Sequence, residues 1–145
     1  MTNPNIDPIF CHSFTVSQET VDQNGHVNNV HYVQWMQDVA IRHYENMGGI
    51  PPTEAIGATW VVRSHHIEYL SPAFAGDEIE VHTWVVNLRR VRSLRRYEFI
   101  RKQDGILLVK GETDWVLVDV KTGYPKAIPR EISSIFSLRK DVETV

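Results

Sequence analysis

The sequence predicts an α+β domain in which an antiparallel sheet of five or six strands wraps around one long helix. One observation is a stripe of apolar side chains at three- and four-residue steps, Val30, Val33, Met36, Ala40, Tyr44 and Met47, widened by Tyr32, Trp35 and Val39. A second is that the chain after residue 58 is rich in strand formers, with turn residues at regular intervals. The third is size. At 145 residues and 42% hydrophobic, the chain suffices for one core and not for two, so residues 1–145 are expected to form a single domain.

Taken in order, residues 12–17 read as a short first strand leading into the loop Asp22-Gln23-Asn24-Gly25-His26-Val27-Asn28-Asn29. Asn28 is suited to cap the helix that follows, because its side chain can accept from a first-turn N–H, while Gly48, Gly49, Pro51 and Pro52 stop it. Residues 59–70 form the next strand, broken by Ser71-Pro72. Gly76-Asp77 opens a strand in which Ile79, Val81, Thr83 and Val85 alternate with Glu80, His82, Trp84 and Val86, running to about Leu88. A strand over 93–102 turns at Gln103-Asp104-Gly105, and another over 106–120 closes at Lys121-Thr122-Gly123. Pro129 then starts a short helix reaching about Leu138. The helix covers one sheet face. Trp and Val side chains on the other suggest that it too needs a partner, so at least a homodimer is expected.

Composition narrows the function classes. The net charge is only −3, but seven of the 15 basic residues and one of the 18 acidic ones lie between Asn87 and Lys102, a local +6 against −9 elsewhere. Such a cluster on an acidic chain suits an anionic ligand at one place, not general attraction to nucleic acid or a membrane surface. A solvated edge strand protected by arginines is the plainer alternative. No apolar run approaches a membrane span, and the first ten residues, without a basic side chain, resemble no targeting segment, which points to a soluble, cytoplasmic protein. Cys11 is the only cysteine; it excludes an internal disulfide framework and has no organised partner that would make it a nucleophile. His65 and His66 adjoin on a strand and so face opposite sides, which prevents joint chelation of a metal.

The loop and helix start hold the candidate chemistry. Unpaired N–H groups of the first helical turn sit beside one carboxylate, Asp22, with Gly25 allowing close approach of a ligand to the backbone. An oxyanion site and an acid/base group are thereby adjacent, although Asp22 also has a plain role as a turn-forming residue.

The stretch from Asp22 to Asn29, followed by Tyr32, resembles the Asp-x-x-Gly-His-Val-Asn-Asn-x-x-Tyr signature of hotdog-fold acyl-CoA thioesterases of the 4-hydroxybenzoyl-CoA thioesterase-like group. Ile67-Glu68-Tyr69-Leu70-Ser71-Pro72 and Gly76-Asp77-Glu78-Ile79 are similar to the next stretch of that family. Just ahead of Asp22 the sequence departs from many members, with Glu19, Thr20 and Val21 where they have a second acidic residue or an aromatic with a small residue. The resemblance implies hydrolysis of an acyl-CoA thioester, or of an acyl-carrier-protein thioester. It implies that Asp22 is nucleophile or general base, that the backbone N–H of Asn29 polarises the carbonyl, and that no cofactor or metal takes part. Gly25, His26, Asn28 and Tyr32 would line the site, with His26 more suited to a structural role. Ser93 matches a position near the pantetheine or thioester, and the site would lie at the interface of a homodimer or dimer of dimers. Arg89, Arg90 and Arg92, in the turn between two strands, are expected to hold the CoA phosphates. A non-catalytic acyl-CoA sensor and a hotdog dehydratase are the alternatives.

Overall fold

The computed structural model describes residues 2 and 6–140. Its elements are β1 (Phe10–Thr15), a 3-10 turn (Gln18–Thr20), α1 (Val30–Asn46), α2 (Ile50–Ala55), β2 (Ala58–Tyr69), β3 (Glu78–Leu88), β4 (Arg92–Arg101), β5 (Leu107–Asp119) and α3 (Arg130–Ser133). The five strands form one antiparallel sheet in the order β1-β3-β4-β5-β2, leaving β1 and β2 at the edges.

Alternation sets which side chains meet α1. Phe14 lies opposite Ile79, Val81 opposite Phe99, Tyr97 opposite Gly111, and Gly111 opposite Ile67. Ile79, Val81, Tyr97, Phe99 and Val109 are buried against Tyr32, Met36, Val39 and Ala40 of α1. Glycine at 111 lets the helix come close, because a Cβ there would stand 2.9 Å from Met36 Sδ. A second cluster, Tyr44, Val85, Leu117, Ile132 and Phe136, fills the space beneath the far end of α1.

Several expectations are corrected. Pro51 and Pro52 do not merely end α1; they lie in the first turn of α2, where a missing N–H costs nothing. The last helix is only four residues, and the chain after it runs extended, with Leu138 bridging Val85 in parallel. Val30, placed on the apolar stripe, is 70% exposed, since at the first helical position it lies beyond the edge of the sheet. The outer sheet face is not apolar: Arg92 pairs with Asp114, Arg96 with Glu112 at 3.3 Å, and Glu98 lies opposite Lys110. Trp84 on that face is buried, with the Arg139 guanidinium 4.2 Å above its ring. Two apolar faces therefore give no ground for a dimer. No helix among the described residues is long and apolar enough to cross a membrane.

Candidate active site

The loop ahead of α1 is held by its own backbone and by the β2–β3 connection. Asp22 N–H donates to His26 O at 2.7 Å and Gly25 N–H to Asp22 O at 3.0 Å, a tight turn that needs the positive φ of +79° at Gly25. Val27 is buried and donates its N–H to Ala73 O at 2.9 Å, pinning the loop to the residues before β3. Asn28 acts as expected, its Oδ1 accepting from Val30 N–H at 3.1 Å.

Asp22 is exposed, and only one of its carboxylate oxygens is occupied. Oδ1 accepts from Asn24 N–H at 2.9 Å and His26 N–H at 3.2 Å, which is the turn-forming role. Oδ2 has no partner among the described residues. The N–H of Asn29, immediately before α1, likewise has no acceptor there, while its carbonyl receives the Tyr69 hydroxyl at 3.4 Å. Asn29 lines a hollow of about 210 Å³ together with His26, Tyr32, Tyr69 and Pro72; Asp22 is not part of that lining. The buried Tyr32 hydroxyl is pushed up to about 12, chiefly by burial and then by Tyr69 and Asp77, so it remains protonated. The His26 ring packs edge-on against Phe74 at 5.2 Å.

The other expected residues are dispersed. Arg89 and Arg90 are exposed on the β3–β4 turn, at the opposite end of β3 from the Asp22 loop. The eleven residues of β3 between those ends span roughly 33 Å. Arg92 is not in that turn. It is the first residue of β4, held on the outer face by Asp114. Ser93 is buried and faces inward, lining a cavity of about 610 Å³ between α1, α2 and the sheet, together with Gln37, Tyr44, Trp60 and Trp115.

His43 escaped the sequence reading, and Arg95 entered it only as a lesser phosphate ligand of the Arg89 to Arg96 segment, a place its burial corrects. Arg95, also on the cavity lining, is 4% exposed; its Nη1 donates to His43 Nδ1 at 2.8 Å and Thr83 Oγ1 at 3.1 Å. Since guanidinium only donates, His43 must carry its proton on Nε2. Burial, and then the Arg95 charge, push His43 down to about 3, so it stays neutral. Both had a signal in the sequence: strand alternation puts Arg95 in phase with Tyr97 and Phe99, and His43 stands three and four residues past Ala40 and Val39. Cys11 also has organised neighbours, for it pairs in register with His82, and its sulfur, Glu80 and His82 place ligand atoms within 4.8 Å of one another. These residues are far apart in sequence and only the β1–β3 pairing joins them. His65 and His66 do face opposite ways, the first bonded to Thr113 at 2.8 Å and the second exposed beside Glu68.

The curated L-carnitine dehydrogenase/betainyl-CoA thioesterase of Agrobacterium fabrum is 28% identical over 122 residues, covering 84% of this chain and 25% of that protein. The chain thus spans about a quarter of that relative's length. A hypothetical protein of Staphylococcus aureus, solved in complex with CoA, superposes with a TM-score of 0.78 at 25% identity, over 86% of this chain and 79% of that one. The 1,4-dihydroxy-2-naphthoyl-CoA thioesterase of Synechocystis does so with a TM-score of 0.75 at 17% identity, over 84% and 90%, which speaks for the fold alone. The fold is the hotdog fold that the loop signature led one to expect. A family model described as the thioesterase-like superfamily matches residues 16–136, loop, helix and sheet together, and the chain belongs to that superfamily.

Proposed function

We propose that this protein hydrolyses an acyl-CoA thioester to a free carboxylic acid and CoA. The observation that supports this reading is an open N–H at Asn29, at the start of α1, following a loop in which the turn leaves one carboxylate oxygen of Asp22 free. A thioester is already activated, so its tetrahedral intermediate needs charge stabilisation more than leaving-group protonation. An N–H at a helix start supplies that without reorganising. Asp22 either takes a proton from the attacking water or attacks the carbonyl itself, giving an anhydride that water opens; both routes release CoA thiolate.

A second copy of the chain would complete the site. β2 is an edge strand of 12 residues, with one row of backbone groups unpaired by the sheet. The Asn29 hollow lies at the Tyr69 end of β2, and the larger cavity lies at its Ala58 end. Antiparallel pairing of two β2 edges about a two-fold axis would bring the hollow of one protomer beside the cavity of the other. The same axis would carry the Arg89-Arg90 turn of one copy toward the Asp22 loop of the other, where the CoA phosphates need a cation.

Release of free thiol from a panel of acyl-CoAs tests the reading, with betainyl-CoA included because a relative's name specifies it. Asp22→Asn should lower the hydrolysis rate by on the order of 10²-fold or more with the fold intact. Wild-type turnover in that variant would leave Asp22 as a turn residue only. Binding without thiol release would instead support an acyl-CoA sensor.

A further inference from the structure

We propose that the 610 Å³ cavity receives an acyl group ending in a carboxylate, with Arg95 as the anchor that selects it. This rests on the acyl-CoA hydrolysis reading above, with the β2 pairing that sets this cavity beside the partner's hollow, and adds the substrate class. The argument begins with a comparison inside the sheet. Arg92 pairs with Asp114, Arg96 with Glu112, and Arg101 with both Asp77 and Asp104. Arg95 is the most buried of the four, yet among the described residues no carboxylate pairs with it. Its two partners, the Thr83 hydroxyl and the neutral His43 ring, are both uncharged.

A buried cation without a counter-charge is costly, and a guanidinium cannot escape the cost by losing its proton. On a closed core that cost would be unexplained. Here Arg95 lines a cavity whose walls are otherwise mostly apolar, Ala40, Ile41, Ile50 and Phe136 among them, while its Nη1 is held by His43 and Thr83. The indole N–H of Trp60, a residue of the same lining, is buried with no acceptor among the described residues. Donors left waiting in an apolar cavity define the missing partner as an acceptor, and the net charge defines it as an anion. A carboxylate fits both, since its two oxygens match the guanidinium fork. The one carboxylate on the lining, Glu54, is exposed and makes no pair with Arg95, so it does not discharge the requirement. A cationic acyl group such as betainyl would meet a like charge on the same wall.

The test uses the full chain and matched pairs of substrates: succinyl, glutaryl and adipyl-CoA against butyryl, valeryl and hexanoyl-CoA, with trimethylammonioacetyl-CoA as the cationic member. For at least one chain length, kcat/KM should favour the carboxylate by about tenfold or more, the scale of one charge-assisted hydrogen bond. Arg95→Met should abolish that preference, read as the ratio of kcat/KM within each matched pair, while Arg95→Lys should retain part of it. Should Arg95→Met fail to fold, the wild-type preference alone decides. Neutral or cationic acyl groups hydrolysed as well as or better than their carboxylate counterparts overturn the inference and leave thioester hydrolysis standing. Binding of the uncleavable thioethers S-(4-carboxybutyl)-CoA and S-pentyl-CoA, measured by calorimetry, separates the two readings. A tenfold preference for the first with no thiol released from any acyl-CoA would sustain the anion site and reject the hydrolase, whereas equal binding rejects the anion site.

Discussion

His43 is kept neutral at a pH where a free imidazole would take a proton, because protonation would bury a second cation beside Arg95. Its folded value of about 3 lies below the unfolded value near 6.5, so between these the unfolded chain binds the extra proton and stability falls as the pH falls. The loss is at most about 1.4 kcal/mol per pH unit from this group. His43→Gln keeps an acceptor for Arg95 and removes the titration. Urea unfolding from pH 7 to 4 should therefore show a shallower decline in the variant than in the wild type; parallel curves would mean that the imidazole is already protonated in the fold. His65, also lowered by burial, pulls in the same direction and remains in both proteins. At this scale the sequence was informative about the side-chain bond of Asn28 to Val30 N–H and the turn at Asp22, both made with neighbours in the chain. It gave the buried phase of His43 and Arg95 but not their contact, since they are 52 residues apart and meet only through the tertiary fold.

Elements were legible where periodicity is local. The turn residues bracketed each strand to within about two positions, since Gly76-Asp77 and Asp104-Gly105 adopt the turns their chemistry favours. What periodicity could not show was the two-proline start of α2, because proline ends one helix and begins another equally well. Nor could it show that the alternate face of β3, β4 and β5 is an ion-pair lattice, since Trp84 and Val86 looked apolar until Arg139 was seen to cover Trp84. The contact between α1 and the sheet gives a sharper expectation. A Cβ at Gly111 would stand 2.9 Å from Met36 Sδ and 3.1 Å from its Cε, and these are the flexible end of that side chain. Gly111→Ala should cost about 1–2 kcal/mol, the lower part of the overpacking range, and lower Tm by about 3–8 °C. Met36→Val removes the clashing atoms, so the double variant should be less destabilised than the two single changes added together. Strict additivity in thermal unfolding would show that the helix shifts as a body instead.

At the scale of the whole molecule, one protomer separates what one CoA ester would have to touch. The carboxylate of Asp22 and the guanidinium pair of Arg89 and Arg90 lie at opposite ends of the 11-residue β3, which spans roughly 33 Å. Antiparallel pairing of β2 edges would exchange the ends, so that each site draws its N–H and carboxylate from one copy and its cationic turn from the other. Arg92 leaves this group because Asp114 already neutralises it on the outer face, which makes Arg89 and Arg90 the pair to change. Replacing both by Ala should raise KM for acyl-CoA several-fold with kcat little altered, the mark of binding lost equally from ground and transition states. The effect should shrink at high salt, where exposed charges are already screened, and should nearly vanish for an acyl-pantetheine lacking the nucleotide. An equal loss on the truncated substrate would mean that the arginines support the turn, whose backbone already binds Ile128 N–H through Arg90 O at 2.9 Å. The proposed dimer supplies the decisive control. Mixing a protomer inactivated by Asp22→Asn with one carrying Arg89→Ala and Arg90→Ala should restore to hybrid dimers one site with both parts native. A mixture in which KM and rate stay at the average of the two parents would place both groups in the same protomer's site and reject the shared arrangement.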